Sequence, residues 1–133
     1  MIYLDSSALV KLIRSEAGSA ALKGWLADHS TLVLVSSVLA DVEITRAVRR
    51  SSPQLLDRIP AVVDSLELVE LRPAVRAIAG SYSTPTLRAA DAVHLASAEL
   101  VQREVGALEA FVCYDRVLST AAALNGMQVV SPT

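Results

Sequence analysis

A length of 133 residues with a hydrophobic content of 53% predicts a single globular domain over residues 1–133 and excludes intrinsic disorder. No apolar run approaches the roughly 20 residues needed to span a bilayer, no export signal is present, and Cys113 has no disulfide partner, so we expect a soluble cytoplasmic protein without membrane contact. The 12 basic and 14 acidic residues give a net charge of −2, which argues against a protein that simply coats DNA.

The first half of the chain alternates apolar runs with helical patterns. A buried strand over residues 1–4 stops at Asp5, and helical patterns follow at 7–14 and, beyond Gly18, at 20–26. A second buried strand covers 31–35, and a helix covers 38–50, where two final arginines complement the helix C-terminus. The helical pattern resumes over 54–64, and we expect Pro60 to kink or divide it.

The second half continues the alternation. Residues 66–71 mix apolar side chains with two glutamates, which predicts an edge-like strand, and a helix follows from Pro73 to Ala79. A long helix over 87–105 precedes a strand over 110–114, a helix over 117–124 and a last strand over 127–130. Strands that alternate with helices predict one α/β domain with a five-stranded, mainly parallel sheet flanked by helices.

Two of these strands end in an acid that is followed by a helix, at Asp5 and Asp115. The carboxyl ends of parallel strands lie at the same edge of a sheet, where open α/β proteins bind ligands. If the two strands are neighbours, the carboxylates converge. The simpler interpretation is that both aspartates only cap the helices that follow them.

Asp91 lies in a helical pattern that is apolar on most sides, with Leu87 and Leu95 at i−4 and i+4. A carboxylate buried there would be costly without a partner. Arg88 and a metal ion are the two candidate partners.

Glu43 occupies a similar helical pattern, where a surface pair with Arg46 at i+3 is the simpler interpretation. Asp41 lies nearly opposite Glu43 around the helix, so only one of the two can face a given pocket.

A cluster of Asp5, Glu43, Asp91 and Asp115 would be unstable by itself, because two unit charges 4 Å apart repel by about 4 kcal/mol at an effective dielectric of 20. Such a cluster therefore requires a cation or protonation. All-oxygen ligands suit Mg²⁺ or Mn²⁺, which activate water for phosphodiester cleavage.

Four segments that contain these acids resemble the successive motifs of PIN-domain ribonucleases, and most closely the VapC toxins of bacterial toxin–antitoxin pairs. The segments are IYLDSSAL around Asp5, SSVLADVEITRA around Glu43, LRAADAVHLA around Asp91 and FVCYDRVL around Asp115. The resemblance implies a three-layer PIN-like fold and a Mg²⁺-dependent endoribonuclease whose metal ligands and catalytic residues are these four acids. It also implies neutralisation by a cognate VapB-like antitoxin.

Two residues depart from the family pattern. Cys113 stands where members often have Thr, so the hydroxyl that would orient the neighbouring acid is absent. Asp41 adds a charge where members commonly have a neutral or basic residue.

Several residues outside the acidic cluster are candidates for contact with RNA or a partner, or for packing in the core. Arg46, Arg88 and Arg116 each follow or precede an acid and are candidates for contact with RNA phosphates. We interpret His94 as a packing or hydrogen-bonding residue more than a general base, His29 as solvated, and Trp25 as core or subunit interface. The apolar helical segments 8–13 and 20–26 predict a homodimer that also binds an antitoxin helix.

Two further hypotheses stay open at this stage. One is a PIN-fold binding module without catalysis. The other is a phosphatase-like hydrolase, which usually needs a second acid two residues after its nucleophilic Asp, whereas position 7 is Ser.

Overall fold

Five short strands form the centre of the molecule in a computed structural model that describes residues 1–133. They are β1 (Ile2–Leu4), β2 (Leu34–Ser37), β3 (Glu67–Val69), β4 (Ala110–Val112) and β5 (Val129–Val130). The α-helices are α1 (Ser6–Ile13), α2 (Ser19–Asp28), α3 (Leu39–Ser51), α4 (Ile59–Asp64), α5 (Pro73–Ser81), α6 (Ala89–Glu104) and α7 (Arg116–Leu124), and a 3₁₀ helix (Pro53–Arg58) precedes α4.

All five strands are parallel, in the order β3-β2-β1-β4-β5, so the predicted five-stranded sheet is confirmed. The first strand, β1, is central and pairs with β2 on one side and β4 on the other. The chain winds outward from β1 in one direction through β2 and β3, and then in the other through β4 and β5. The carboxyl ends of β1 and β4 therefore flank the point where the winding reverses, which is the usual ligand position in open α/β sheets.

Alternation along β1 builds a core on each face of the sheet. Ile2 and Leu4 pack into one apolar cluster with α1, α2, α3 and α4, whereas Tyr3 packs into a second with α6 and α7. Helix α5 packs outside α6 through a smaller cluster around Val75. Because both faces are covered, the central strands are buried throughout, and the three-layer arrangement is as predicted.

The predicted second strand was placed three residues too early. Strand β2 runs over Leu34–Ser37, because α2 continues to Asp28 and a turn occupies the residues that follow. Ser36 and Ser37, which follow the predicted strand in the sequence, lie inside β2 and are buried. The Ser36 hydroxyl donates to the carbonyl of Leu4 at 2.7 Å, so a polar side chain is satisfied within the sheet.

Two prolines explain why the segment after α3 forms two short helices. Pro53 begins the 3₁₀ helix and Pro60 lies in the first turn of α4, where a missing N–H costs nothing. The prediction that Pro60 divides this segment is confirmed.

The apolar segments expected to form a partner groove contribute mainly to the core. Ala8, Leu9, Ile13 and Leu22 are fully buried, and Trp25 packs against the same cluster. Much of the apolar surface on α1 and α2 from which the homodimer and the antitoxin contact were predicted is therefore buried, because the sheet and α3 cover these side chains. None of the helices combines the length and apolar character that a bilayer span requires.

Candidate active site

A cleft of about 410 Å³ opens at the carboxyl ends of β1 and β4, and it contains all four acids predicted from the sequence. Its lining comprises Asp5, Ser6, Ser7, Val10, Val42, Glu43, Arg46, Ala47, Arg50, Asp91 and Asp115. The chain brings these acids together from four segments, since each follows a strand or lies on a helix that borders the same edge of the sheet.

Asp5 is the most deeply buried of the four acids, with 3% of its surface exposed. Its Oδ1 accepts hydrogen bonds from the Ser7 hydroxyl at 2.6 Å and from the Ala8 amide at 3.0 Å, so Asp5 caps α1. Burial raises the pKa of Asp5, although these hydrogen bonds oppose the shift. Asp5 is thus both a helix cap and an acid of the cleft, and the two interpretations of the sequence are compatible.

The thiol of Cys113 lies 3.1 Å from Asp5 Oδ2 and donates to it. Burial and the negative charge of Asp5 raise the pKa of this thiol, which keeps it protonated as a donor. The thiol therefore occupies the position that a threonine hydroxyl would take, and the departure from the family pattern leaves a donor in place.

Asp115 likewise has two roles. Its Oδ1 accepts from the Leu118 amide at 2.8 Å and caps α7, while the residue is exposed and lines the cleft. The strands that precede Asp5 and Asp115 are neighbours, as the converging-carboxylate hypothesis required.

Glu43 is held by two protein donors. Its Oε1 lies 2.6 Å from Nε2 of His94, and its Oε2 accepts from the Ser6 hydroxyl at 3.3 Å. The simpler interpretation, a surface pair with Arg46, is wrong, because the side chain faces the cleft and no ion pair joins the two residues. Asp41 is exposed and lies outside the cleft lining, which agrees with its position opposite Glu43 on α3.

Asp91 lies in the first turn of α6, which begins at Ala89 and not at Leu87. The helix N-terminus favours a negative charge at this position, but it does not remove the predicted cost of burying the carboxylate. Partial burial, together with the negative charge of Asp115, raises the pKa of Asp91. No ion pair with Arg88 compensates the carboxylate.

Arginines are distributed unevenly around the cleft. Arg46 lines it as predicted, and Arg50, which sequence reasoning missed, lines it as well. Their spacing at i+3 and i+7 from Glu43 was the available signal. Arg88 and Arg116 are exposed outside the lining, and Arg116 borders a separate groove with Thr84 and Thr120.

His94 and His29 each form contacts that the sequence did not specify. His94 is 1% exposed and contacts Tyr3 as well as Glu43, so its interpretation as a packed, hydrogen-bonded residue agrees with the structure. His29 was expected to be solvated, but it stacks on Trp25 and its Nδ1 lies 2.7 Å from the Trp25 carbonyl oxygen.

The cleft supplies oxygen ligands of the type that Mg²⁺ and Mn²⁺ prefer. No group of three or more His, Cys, Asp or Glu side chains is arranged closely enough to hold a metal ion. Protein donors occupy one or both oxygens of Asp5, Glu43 and Asp115. Burial is the first cause of the raised pKa of both Asp5 and Asp91, and the negative charge of Asp115 adds to the shift at Asp91. The chemistry of the four carboxylates fits a hard cation, although their side chains are not drawn together around one point.

Comparison with known proteins identifies the class. The model of the PIN domain family matches residues 2–129. The chain is 44% identical to Ribonuclease VapC35 of Mycobacterium tuberculosis over 132 residues, which cover 99% of this chain and 97% of that protein. It is 37% identical to Ribonuclease VapC47 of the same species, over 99% of this chain and 97% of that protein. The chain belongs to the PIN-domain family.

Within that family, its full-length relatives are VapC ribonucleases, and the resemblance drawn from the four motifs is confirmed. Solved structures agree on the fold. The Mycobacterium tuberculosis toxin VapC20, which cleaves the sarcin–ricin loop, superposes with a TM-score of 0.74 at 18% identity over 99% of this chain and 100% of that one. VapBC2 of Rickettsia felis, bound to a DNA fragment from their promoter, superposes with a TM-score of 0.66 at 12% identity, with both chains covered fully.

Proposed function

We propose that this protein is a Mg²⁺-dependent endoribonuclease that acts as the toxin of a bacterial toxin–antitoxin pair in the cytoplasm. The observation that carries the proposal is the convergence of Asp5, Glu43, Asp91 and Asp115 on one cleft at the winding reversal of a parallel sheet. The ribonuclease names of the full-length relatives support the substrate class.

The chemistry divides among the side chains of the cleft. Asp5, Glu43, Asp91 and Asp115 would hold Mg²⁺, or Mn²⁺, which supplies activation of water for in-line attack on a phosphodiester and stabilises the leaving 3′-oxygen. Ser7 and Cys113 orient the Asp5 carboxylate by donating to its two oxygens. Arg46 and Arg50 make no ion pair with the protein, which leaves their guanidinium groups free for RNA phosphates.

Cleavage of RNA by matched variants tests this function. Asp5→Asn removes the buried charge while it keeps the side-chain volume, so we expect a folded protein without activity. Asp41→Asn is the matched control, because Asp41 is exposed and lies outside the cleft. The parent and the control should cleave RNA in Mg²⁺ or Mn²⁺ and stop in chelator.

Three outcomes would contradict the proposal. Equal cleavage by the Asp5→Asn variant and the parent would remove Asp5 from the chemistry. A well-folded parent that cleaves no RNA with either metal would favour the non-catalytic binding module. Release of phosphate from a generic phosphomonoester, with no RNA cleavage, would favour the phosphatase-like hydrolase.

The partner follows from the same proposal. An open ribonuclease site would damage its own cell, and the VapC names of the relatives support a VapB-like antitoxin. We expect the antitoxin to place an arginine among the four carboxylates, where it would pair with them and exclude the metal. Inhibition by the antitoxin encoded beside this chain should therefore weaken as the concentration of Mg²⁺ or salt increases. Inhibition that does not depend on either concentration would contradict the pairing of an arginine with the carboxylates.

A further inference from the structure

A buried chain of hydrogen bonds leads from the central strand to the cleft. The Tyr3 hydroxyl on β1 lies 2.8 Å from Nδ1 of His94 on α6, and Nε2 of His94 lies 2.6 Å from Oε1 of Glu43 on α3. Tyr3 is fully buried and His94 is 1% exposed, whereas 27% of the Glu43 side chain is exposed. The chain of contacts thus joins two core residues to a single carboxylate at the surface of the cleft.

Hydrogen-bond partners assign the proton on the imidazole. The carboxylate of Glu43 can only accept, so Nε2 of His94 carries a proton. In a neutral ring Nδ1 is then the acceptor, and the Tyr3 hydroxyl donates to it. Aromatic packing fixes the orientation of the ring, because His94 meets Tyr3 edge-on with centroids 5.9 Å apart and Tyr3 stacks on Phe111 at 5.1 Å. The donor to Glu43 is therefore held rigidly.

We propose that His94, oriented by Tyr3, is a positioning residue that fixes the Glu43 carboxylate for binding a divalent cation. This inference rests on the proposed function. His94 occupies Oε1 with a short hydrogen bond, while Oε2 accepts only the 3.3 Å bond from Ser6 and would be the oxygen available to a cation. Outer partners of this kind hold metal-binding carboxylates in one geometry.

Two variants of His94, compared for their affinity for Mn²⁺, distinguish a positioning role of this residue from a role in packing alone. In the His94→Gln variant the side-chain amide can still donate to Glu43, whereas in the His94→Leu variant no donor remains. Both variants remove the Nδ1 acceptor of Tyr3 and so share the same structural loss. We expect titration calorimetry to show Mn²⁺ affinity about 10- to 100-fold lower for His94→Leu, and within about threefold of the parent for His94→Gln.

A second variant tests the role of Tyr3 without changing the imidazole. Tyr3→Phe removes only the hydroxyl, so the Nε2–H tautomer of His94 loses the hydrogen-bond donor that stabilises it. We therefore expect the affinity for Mn²⁺ to fall about fivefold. Tyr82→Phe is the matched control, because that hydroxyl donates to Glu99 away from the cleft. Nitrogen-15 NMR of labelled histidine should show Nε2 protonated and Nδ1 unprotonated in the parent, and a mixture of tautomers in Tyr3→Phe.

The outcomes distinguish this inference from the proposed function. A parent that binds no Mn²⁺ would overturn the metal-dependent function and the inference together. A parent that binds Mn²⁺, with equal affinities in the parent and His94→Leu or equal losses in the Leu and Gln variants, would overturn the positioning role alone. An Nδ1–H tautomer in the folded parent would overturn it as well.

Discussion

At the scale of single residues, burial sets the chemistry of the cleft. Asp5 is buried, and burial penalises its ionisation and raises its pKa although Ser7, the Ala8 amide and Cys113 donate to it. A carboxyl group whose pKa is higher in the folded state binds protons more tightly there than in the unfolded chain. The protonated carboxyl group of Asp5 therefore contributes fully to stability at a pH below its pKa in the unfolded chain, about 3.9. This contribution is lost as the pH rises through the pKa of Asp5 in the folded protein.

Asp5→Asn should therefore change the pH dependence of stability in chelator. Asparagine cannot ionise. The parent therefore loses stability through Asp5 as the pH rises, and the variant does not. We expect the melting temperature of the variant relative to the parent to be higher at pH 7 than at pH 3. Thermal unfolding followed by circular dichroism measures this difference, and a relative stability that falls with rising pH would have the wrong sign.

Cys113 provides a second test at this scale. Cys113→Ser keeps a donor beside Asp5, whereas Cys113→Ala removes it from a buried acceptor. We expect the free energy of unfolding of the alanine variant to be about 1 kcal/mol lower than that of the serine variant. We also expect the alanine variant to cleave RNA more slowly. Equal stability and activity of the two variants would show that the thiol does not orient Asp5.

Individual residues differ in how far the sequence could predict their roles. Asp5 and Asp115 were predictable because a strand, an acid and a helix follow one another locally, so the position at the sheet edge follows from topology. The partner of Glu43 was not, because His94 is distant in the chain and its contact depends on how α3 and α6 pack across β1. Local spacing favoured the pair with Arg46, which does not form.

At the scale of secondary structure elements, α3 presents a stripe of functional groups to the cleft. Glu43, Arg46, Ala47 and Arg50 line it at intervals of three and four residues, while Ala40, Ile44 and Val48 face the core. On the proposed function, one helix would supply an acid for the metal ion and two arginines for the RNA phosphates.

Substitution of α3 arginines should separate binding from chemistry. In an inactive Asp5→Asn background, Arg46→Ala and Arg50→Ala should each weaken RNA binding several-fold and reduce the slope of log affinity against log salt by about 0.7. Arg49→Ala is the matched control, because Arg49 is exposed on the same helix and does not line the cleft. Fluorescence anisotropy measures all three, and an equal effect of Arg49→Ala would indicate only a loss of net charge.

Boundaries of elements were less predictable than their order. Periodicity gave the alternation of strands and helices, but apolar runs such as Thr31–Val35 do not specify where pairing starts. Strand β2 is set by its register with β1 and β3, which no local pattern contains.

At the scale of the whole molecule, assembly with a second copy remains a prediction. Large apolar side chains are exposed at several positions, including Val105 at 72% and Leu124 at 81%. Light scattering of the purified protein should give twice the chain mass of 14.1 kDa. A monomer over a range of concentrations would remove the homodimer and would leave the nuclease proposal intact.

The position of β1 at the centre of the sheet has a consequence for biosynthesis. Its neighbour β4, the buried Cys113 and the cleft residue Asp115 come much later in the sequence than Asp5 and Glu43, so they leave the ribosome long after these two acids. A nascent chain therefore carries only part of the acidic cluster, without the strand that closes the sheet beside it. On the proposed function, the ribosome that makes this protein meets no active nuclease until β4 and Asp115 have been translated.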